Sequence, residues 1–292
     1  MKQIAVVSGK GGTGKSTLVS SLSLLVDGKM LADCDVDAPN LHILLDSTLL
    51  KREEYYGAQA AVIDPALCLK CGRCRTVCRF EAINEALEIL ALHCEGCGAC
   101  GLVCPAGAVR LATVKTGQTY LSQTDRGILA HALLDAGAEG SGKLVTAVRK
   151  EAEACHQDEK WLLIDGSPGI GCVVMASITG ADAVLAVAEP TLSGLSDLKR
   201  VLEVARHFQI AGFVCINKFD LNPEITAKIE QFCRRSAVPV IGKIPFDPAI
   251  VRALQEFKTP VQAGNQRFTS EIESLWAKLR AGIDKITSYR ES

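Results

Sequence analysis

Gly9-Lys10-Gly11-Gly12-Thr13-Gly14-Lys15-Ser16-Thr17 is the segment that leaves this chain the fewest choices of fold. It matches G-x-x-x-x-G-K-[ST], and it lies between a β-branched apolar run at residues 3–8 and a stretch where Leu18, Leu22 and Leu25 recur at helical spacing. Strand, glycine loop and helix in that order make a cradle for phosphate. Glycines let successive backbone N–H groups turn inward onto an anion, and the helix N-terminus adds partial positive charge. Lys15 then reaches the β- and γ-phosphates, and the Ser16 hydroxyl ligates Mg²⁺. Gly9, Gly11, Gly12, Thr13, Gly14, Lys15, Ser16 and Thr17 are therefore the predicted phosphate-binding residues.

Further buried strands are expected at residues 30–32, 161–164, 183–188, 213–216 and 240–244, with helical patterns at 195–208 and 223–233. Strands alternating with helices predict an α/β fold, a mostly parallel sheet covered on both faces, with ligands at the carboxyl ends of the strands. Residues 58–114 break this rhythm. We read them as a small α+β insertion that divides the α/β domain into a first part, 1–57, and a second, 115–292. Residues 60–63 and 109–112 are placed to pair as strands at the insertion's edges.

Eight of the 13 cysteines fall inside that insertion. They form two runs, Cys68-x2-Cys71-x2-Cys74-x3-Cys78 and Cys94-x2-Cys97-x2-Cys100-x3-Cys104, the second followed by Pro105. Clustered thiolates in a reducing compartment point to metal rather than disulfides. Both runs resemble those of bacterial two-cluster ferredoxins, where the fourth cysteine of each run serves the other cluster. The resemblance implies two [4Fe–4S] clusters, one held by Cys68, Cys71, Cys74 and Cys104, the other by Cys94, Cys97, Cys100 and Cys78. Arg79 stands where the first run would carry proline. Zinc, which also takes four thiolates, is the alternative.

The second lysine of the glycine loop, Lys10, resembles that of the MinD/ParA/Mrp/nitrogenase-iron-protein superfamily of P-loop ATPases, whose deviant loop lysine reaches across a dimer to the partner's nucleotide. Other landmarks follow in order. Asp33-Cys34-Asp35 resembles switch I, which implies that Asp35 orients the attacking water or meets Mg²⁺ through water; Asp33 and Asp37 are either part of that or turn residues. Asp165-Gly166-Ser167-Pro168-Gly169 resembles the D-x-P-P-G switch II of Mrp-type ATPases, with Ser167 replacing a proline and Asp165 on Mg²⁺ through water. Asn217-Lys218 resembles the family's adenine contact, and Pro245-Phe246-Asp247 the loop closing over the base. Asn217-Lys218-Phe219-Asp220 also fits the N-K-x-D of guanine readers; the lysine and switches favour ATP.

The resemblance implies an ATP hydrolase that forms a homodimer or a heterodimer with a related ATPase, with Lys10, Lys15 and Asp35 as catalytic groups. Two purposes fit: coupling hydrolysis to redox chemistry or metal-cluster assembly on a client protein, or positioning of the ParA/MinD type with structural or sensory clusters. Mrp proteins that build clusters often carry a C-terminal C-x-x-C, which is missing here. Cys34, Cys155, Cys215 and Cys233 are expected as small buried hydrophobes. Cys172 lies either in packing or at a dimer face, as a thiol used with the clusters. Ile272, Leu275, Trp276, Leu279, Ile283 and Ile286 form one helical face, expected to pack on the core rather than on a membrane. A net charge of −1 gives no sign of a nucleic-acid partner. The segment before the glycine loop is too short for a signal peptide, and no apolar run nears the ~20 residues of a membrane span, so a cytoplasmic protein is expected.

Overall fold

The computed structural model describes the backbone of residues 1–291 and the side chains of residues 1–286. Eleven strands and ten α-helices follow one another as β1 (Lys2–Ser8), α1 (Lys15–Leu25), β2 (Lys29–Cys34), α2 (Leu41–Leu44), β3 (Thr48–Tyr55), β4 (Ala58–Ile63), α3 (Arg73–Val77), α4 (Ala99–Leu102), β5 (Val109–Val114), β6 (Gly117–Thr124) and β7 (Gly127–Leu134). The chain continues through α5 (Gly142–Ala154), β8 (Trp161–Pro168), α6 (Cys172–Ile178), β9 (Ala183–Ala188), α7 (Leu192–His207), β10 (Ala211–Asn217), α8 (Pro223–Arg235), β11 (Val240–Ile244), α9 (Pro248–Gln255) and α10 (Gln266–Glu291).

Two compact units result. The larger comprises Met1–Glu53, Thr119–Leu133 and the chain from Gly140 onward; the smaller comprises Glu54–Gln118 and Leu134–Glu139.

The larger unit is built on a nine-stranded sheet in the order β11-β10-β9-β1-β8-β2-β7-β6-β3. β11, β10, β9, β1, β8, β2 and β7 pair in parallel. Parallel central strands are buried on both faces, which is why β2 and β9 carry no exposed residue and why β9 reads as an unbroken apolar run. Their carboxyl ends share one edge, and Ser8, Cys34, Asn217 and Ile244 all terminate there. The sequence did not reveal β3 or the β6–β7 hairpin. Exposed positions hide β3 and polar content hides β6, whereas β7 is an apolar run, buried in its middle, that was legible in principle.

Leu18, Leu22, Leu163, Leu185 and Phe213 lie in a core that α10 closes with Ile272, Leu275, Leu279 and Ile283. Trp161 and Trp276 meet edge to face with ring centroids 4.9 Å apart, and Ile286 packs against the same core. The apolar face of α10 is thus covered by its own fold. Among the described residues no helix is long and apolar enough to cross a membrane.

The smaller unit holds the antiparallel pair β4–β5, with Ala60 opposite Ala112 and Ile63 opposite Val109. Its buried cluster is formed by Ala61, Cys74, Ile83 and Cys100, and the other buried apolar residues of the segment 54–118 are the small side chains Ala60, Ala82 and Ala108.

Candidate functional site

The phosphate loop runs from Gly9 to Gly14, between the end of β1 and the start of α1. Gly14 precedes α1 with φ of 93°, and a Cβ there would lie 2.5 Å from Asn217 Nδ2. A Cβ on Gly9 would overlap Asp197 of α7. Both positions are closed to any side chain, so the loop is drawn tight against β10 and α7. Asn217 Nδ2 donates to the Thr13 carbonyl at 2.8 Å. The Ser8 hydroxyl donates to the Lys10 carbonyl at 2.6 Å. The shape of the loop is therefore fixed by hydrogen bonds from two strands.

Lys15 is buried at the first turn of α1, with Nζ 3.6 Å from Asp35 Oδ2. Burial pushes the Asp35 carboxyl up, and the Lys15 charge pulls it back. Asp165 lies within β8 rather than after it, level with Val6 of β1 and Asp33 of β2. Its side chain is fully buried, and among the described residues neither carboxylate oxygen has a partner in good hydrogen-bond geometry, the Ser16 hydroxyl being near enough only to favour its charge; the buried Thr13 hydroxyl lacks a partner there too. Burial raises Asp165 to about 6, with the Lys15 charge and the Ser16 hydroxyl opposing. A buried carboxylate without partners is costly unless a ligand completes it. Its neighbours are the residues that hold phosphate and metal in glycine-loop proteins, so Mg²⁺ fits this place, with Asp165 and Ser16 as the holding groups.

Asp33 has a different task. Its Oδ2 accepts from the Asn40 and Leu41 N–H groups, both at 3.0 Å, and its Oδ1 from Asp35 N–H at 3.2 Å. Burial and the Asp165 charge raise its pKa well above the usual range. Asp37 Oδ1 accepts from Gly140 N–H at 3.0 Å. Both side chains thus organise the turn, and Asp35 is left facing the lysine.

Sequence reasoning missed the partners of several site residues. Lys10 Nζ donates to the Ser193 hydroxyl at the start of α7, within its own subunit. Lys218 pairs with Glu189. The Ser167 hydroxyl donates to the Cys34 carbonyl at 2.6 Å in the interior, tying the end of β8 to the end of β2. Pro245 is buried after β11. Asp247 caps α9 through Ala249 N–H at 2.8 Å and accepts from Asn265 at 2.7 Å; these two bonds hold its carboxyl below the ordinary range. Asp220 accepts from Phe246 N–H at 2.7 Å. That carboxylate, the one a guanine reader would present to the base, already holds a neighbouring loop.

In the smaller unit the sulfurs sort into two groups. One small cavity is lined by Cys68, Cys71, Cys74 and Cys104, and another by Cys78, Cys94, Cys97 and Cys100. Gly72 and Gly98, both left-handed, open the short helices α3 and α4 that bring Cys74 and Cys100 inward. The Cys94 sulfur accepts from Ala61 N–H at 3.3 Å and the Cys104 sulfur from Ala108 N–H at 3.2 Å. Against the cost of desolvation, a set of backbone N–H groups led by that of Ala108 lowers the Cys104 pKa. Among the described residues no three Cys, His, Asp or Glu side chains converge tightly enough to hold one metal ion.

The remaining cysteines divide. Cys34, Cys215 and Cys233 are buried, and burial pushes Cys215 up to about 12 and Cys233 to about 11, so these thiols are inert packing groups. Cys155 is partly exposed, and Cys172 is exposed where α6 begins.

Comparison with known proteins agrees with this geometry. Residues 4–261 match the family model described as CobQ/CobB/MinD/ParA nucleotide binding domain. The uncharacterized protein MJ0578 of Methanocaldococcus jannaschii is 31% identical over 96% of this chain and 97% of its own length. The uncharacterized ATP-binding protein MJ0547 of the same organism is 26% identical over 88% of this chain and 79% of its own. Among solved structures, the septum site-determining protein MinD complexed with Mg-ADP from Pyrococcus horikoshii superposes with a TM-score of 0.59 at 18% identity, covering 95% of each chain.

Proposed function

Because the chain belongs to the CobQ/CobB/MinD/ParA nucleotide-binding family, we propose that it is a Mg-ATP-dependent, dimerising switch ATPase that carries two [4Fe–4S] clusters. The observation that carries the ATPase reading is Asp165, a buried carboxylate with no partner, set beside the glycine loop and Lys15. Bound Mg²⁺ neutralises phosphate charge and satisfies that carboxylate. Lys15, at present facing Asp35, turns to the phosphates when nucleotide enters. Asp35 is then released to orient a water for attack. Lys10 leaves Ser193 to reach the nucleotide of a facing subunit, which is the deviant-lysine role. Asn217 keeps the loop in shape through Thr13 and lies at the adenine side, and Pro245 and Asp247 form the loop beside it. Asp165→Asn tests the assignment. It should abolish Mg-dependent nucleotide binding in calorimetry, with the fold intact; wild-type affinity in the variant would overturn it.

The iron–sulfur reading rests on the two cysteine quartets. Two complete C-x2-C-x2-C-x3-C runs, with the sulfur-bearing residues lining one cavity per quartet, favour an iron–sulfur core over zinc, and such a core would store and pass single electrons when bound. Iron and sulfide analysis of anaerobically isolated protein, with EPR, tests it.

Two readings of the switch's purpose remain. The family and the fold neighbours, cell-division and partition ATPases by title, favour a ParA/MinD-type positioning ATPase with structural or sensory clusters. One observation favours coupling to redox chemistry or cluster assembly on a client: each quartet keeps one cysteine exposed, Cys71 and Cys97. A purely structural cluster would be sealed. An anaerobic redox titration with and without Mg-ATP separates them, a nucleotide-dependent potential favouring the second.

A further inference from the structure

The two cysteine runs form an internal repeat, so each serves as a control for the other. When both are aligned on their cysteines, Lys70, Arg73, Arg75 and Arg79 of the first stand where the second has Gly96, Ala99, Gly101 and Pro105. Both runs build small cavities of the same size, about 20 Å³ each, behind the same left-handed turn. A four-sulfur pocket therefore does not require those cations. Arg75 is engaged by Glu85 at 3.0 Å. Lys70, Arg73 and Arg79 are exposed and are absent from the ion pairs among the described residues. The second run carries Glu95 instead, and Glu85 and Glu88 precede it.

Beside the first quartet the surface opens into a shallow depression bordered by Cys71, Arg73, Thr76, Val77, Leu102 and Cys104. Two of that quartet's four sulfurs reach its edge, and its charged lining residue is an arginine. Around it Leu69 is 70% exposed and Leu102 90% exposed. Exposed Phe80 and Cys97 also border the second quartet, but its lining carries Glu95 and no cation, whereas Arg73 lines the first quartet's cavity with no acid beside it, and Lys70 precedes the exposed Cys71.

We propose that this depression is the docking site of a small acidic redox carrier protein, steered there by Lys70 and Arg73. The inference rests on the reading that the quartets hold iron–sulfur clusters. Long-range attraction between an acidic carrier and these exposed cations raises the encounter rate and fixes orientation. Leu69 and Leu102 supply the dry centre that a protein partner buries and a phosphate backbone leaves uncovered. The exchange moves one electron from the reduced carrier to the chain; the carrier is oxidised by one equivalent, and no bond forms or breaks. The acidic second run repels such a carrier, so entry is confined to one side of the repeat.

The test is anaerobic binding of a fluorescently labelled, acidic flavodoxin to the full-length holoprotein, both oxidised, read by anisotropy at low salt and at about 0.5 M salt. The variant K70E/R73E should bind at least about tenfold more weakly at low salt and lose most of the salt dependence. The neutral variant K70Q/R73Q should fall between it and wild type, and E88K/E95K should bind no more weakly than wild type. Iron content, reduction by dithionite and ATP hydrolysis should match wild type in the lysine and arginine variants. Unchanged affinity on charge reversal with iron intact overturns the proposal. So does reversal-sensitive binding of single-stranded RNA with none of flavodoxin. Flavodoxin bound through these residues by a wild-type protein holding no iron upholds the docking site and sinks the cluster reading instead.

Discussion

The two units of this chain solve the problem of cohesion by different means. The nucleotide unit buries a continuous core that runs from Ile4 in β1 to Ile283 in α10. The cysteine unit clusters four buried residues, two of them cysteines, adds only buried alanines to them, and leaves Leu67, Leu69, Leu92 and Leu102 more than half exposed. Segments of that size gain too little from apolar burial to offset chain entropy, and such domains generally recruit a metal or covalent crosslinks. One unit is thus held by packing and positions its ligand site at a sheet edge. The other is organised around its ligand sites. The teaching is that a loss of ligand should be local and mild in the first and structural in the second.

On the proposed iron–sulfur reading, the largest test of that contrast is removal of iron. Anaerobic chelation should make the segment between Glu54 and Gln118 protease-sensitive while the thermal transition of the nucleotide unit stays in place; joint collapse would break the comparison. The converse is Leu163→Ala, which opens a cavity in the packed core and should cost about 2–5 kcal/mol in denaturant unfolding with iron content unaltered.

Acid should also act on one unit only. His131 of β7 is stacked between His42 and Tyr120, at centroid distances of 4.9 and 5.0 Å, and burial with the nearby His42 lowers it to about 4. Its native pKa lies below the free value of 6.5, so its contribution is whole above pH 6.5 and is lost as pH falls toward 4, up to about 3 kcal/mol. His131→Phe keeps the stack without the titration and should flatten that limb of the stability curve. An unflattened curve would place the acid sensitivity elsewhere.

The smallest effect belongs to the cysteine repeat. Glu81 has φ of 52° where the second run has Gly107 at 61°. Glu81→Gly should relieve left-handed strain and gain under about 1 kcal/mol, seen as slower iron loss under chelator.

What was legible in the sequence is what depends on spacing along the chain. The glycine loop between strand and helix, the cysteine runs, and the apolar face of α10 each declare themselves within about twenty residues. The fold is the mostly parallel α/β fold of MinD that those patterns imply. What escaped depends on residues brought together from afar. β3 and the hairpin of β6 and β7 join the sheet edge through pairings that no local pattern encodes. The Tyr120–His131–His42 stack joins three separate elements, and Ser193 meets Lys10 across 183 positions. The Asp165 strand extends to Pro168, four residues beyond its apolar core, because Asp165 and Gly166 pair with β2 despite their polarity.

The hydrogen bond from Ser167 to the Cys34 carbonyl has a mechanical meaning. Proline, the residue that Mrp-type ATPases carry there, has no hydroxyl and could not make it. Breaking it in the interior strands a buried carbonyl, at a cost of about 1–3 kcal/mol. The tips of β2 and β8, which deliver Asp35 and Asp165, are thereby riveted. A push on either is felt by both, so this pair of loops behaves as one lever with two handles rather than two levers that must be synchronised.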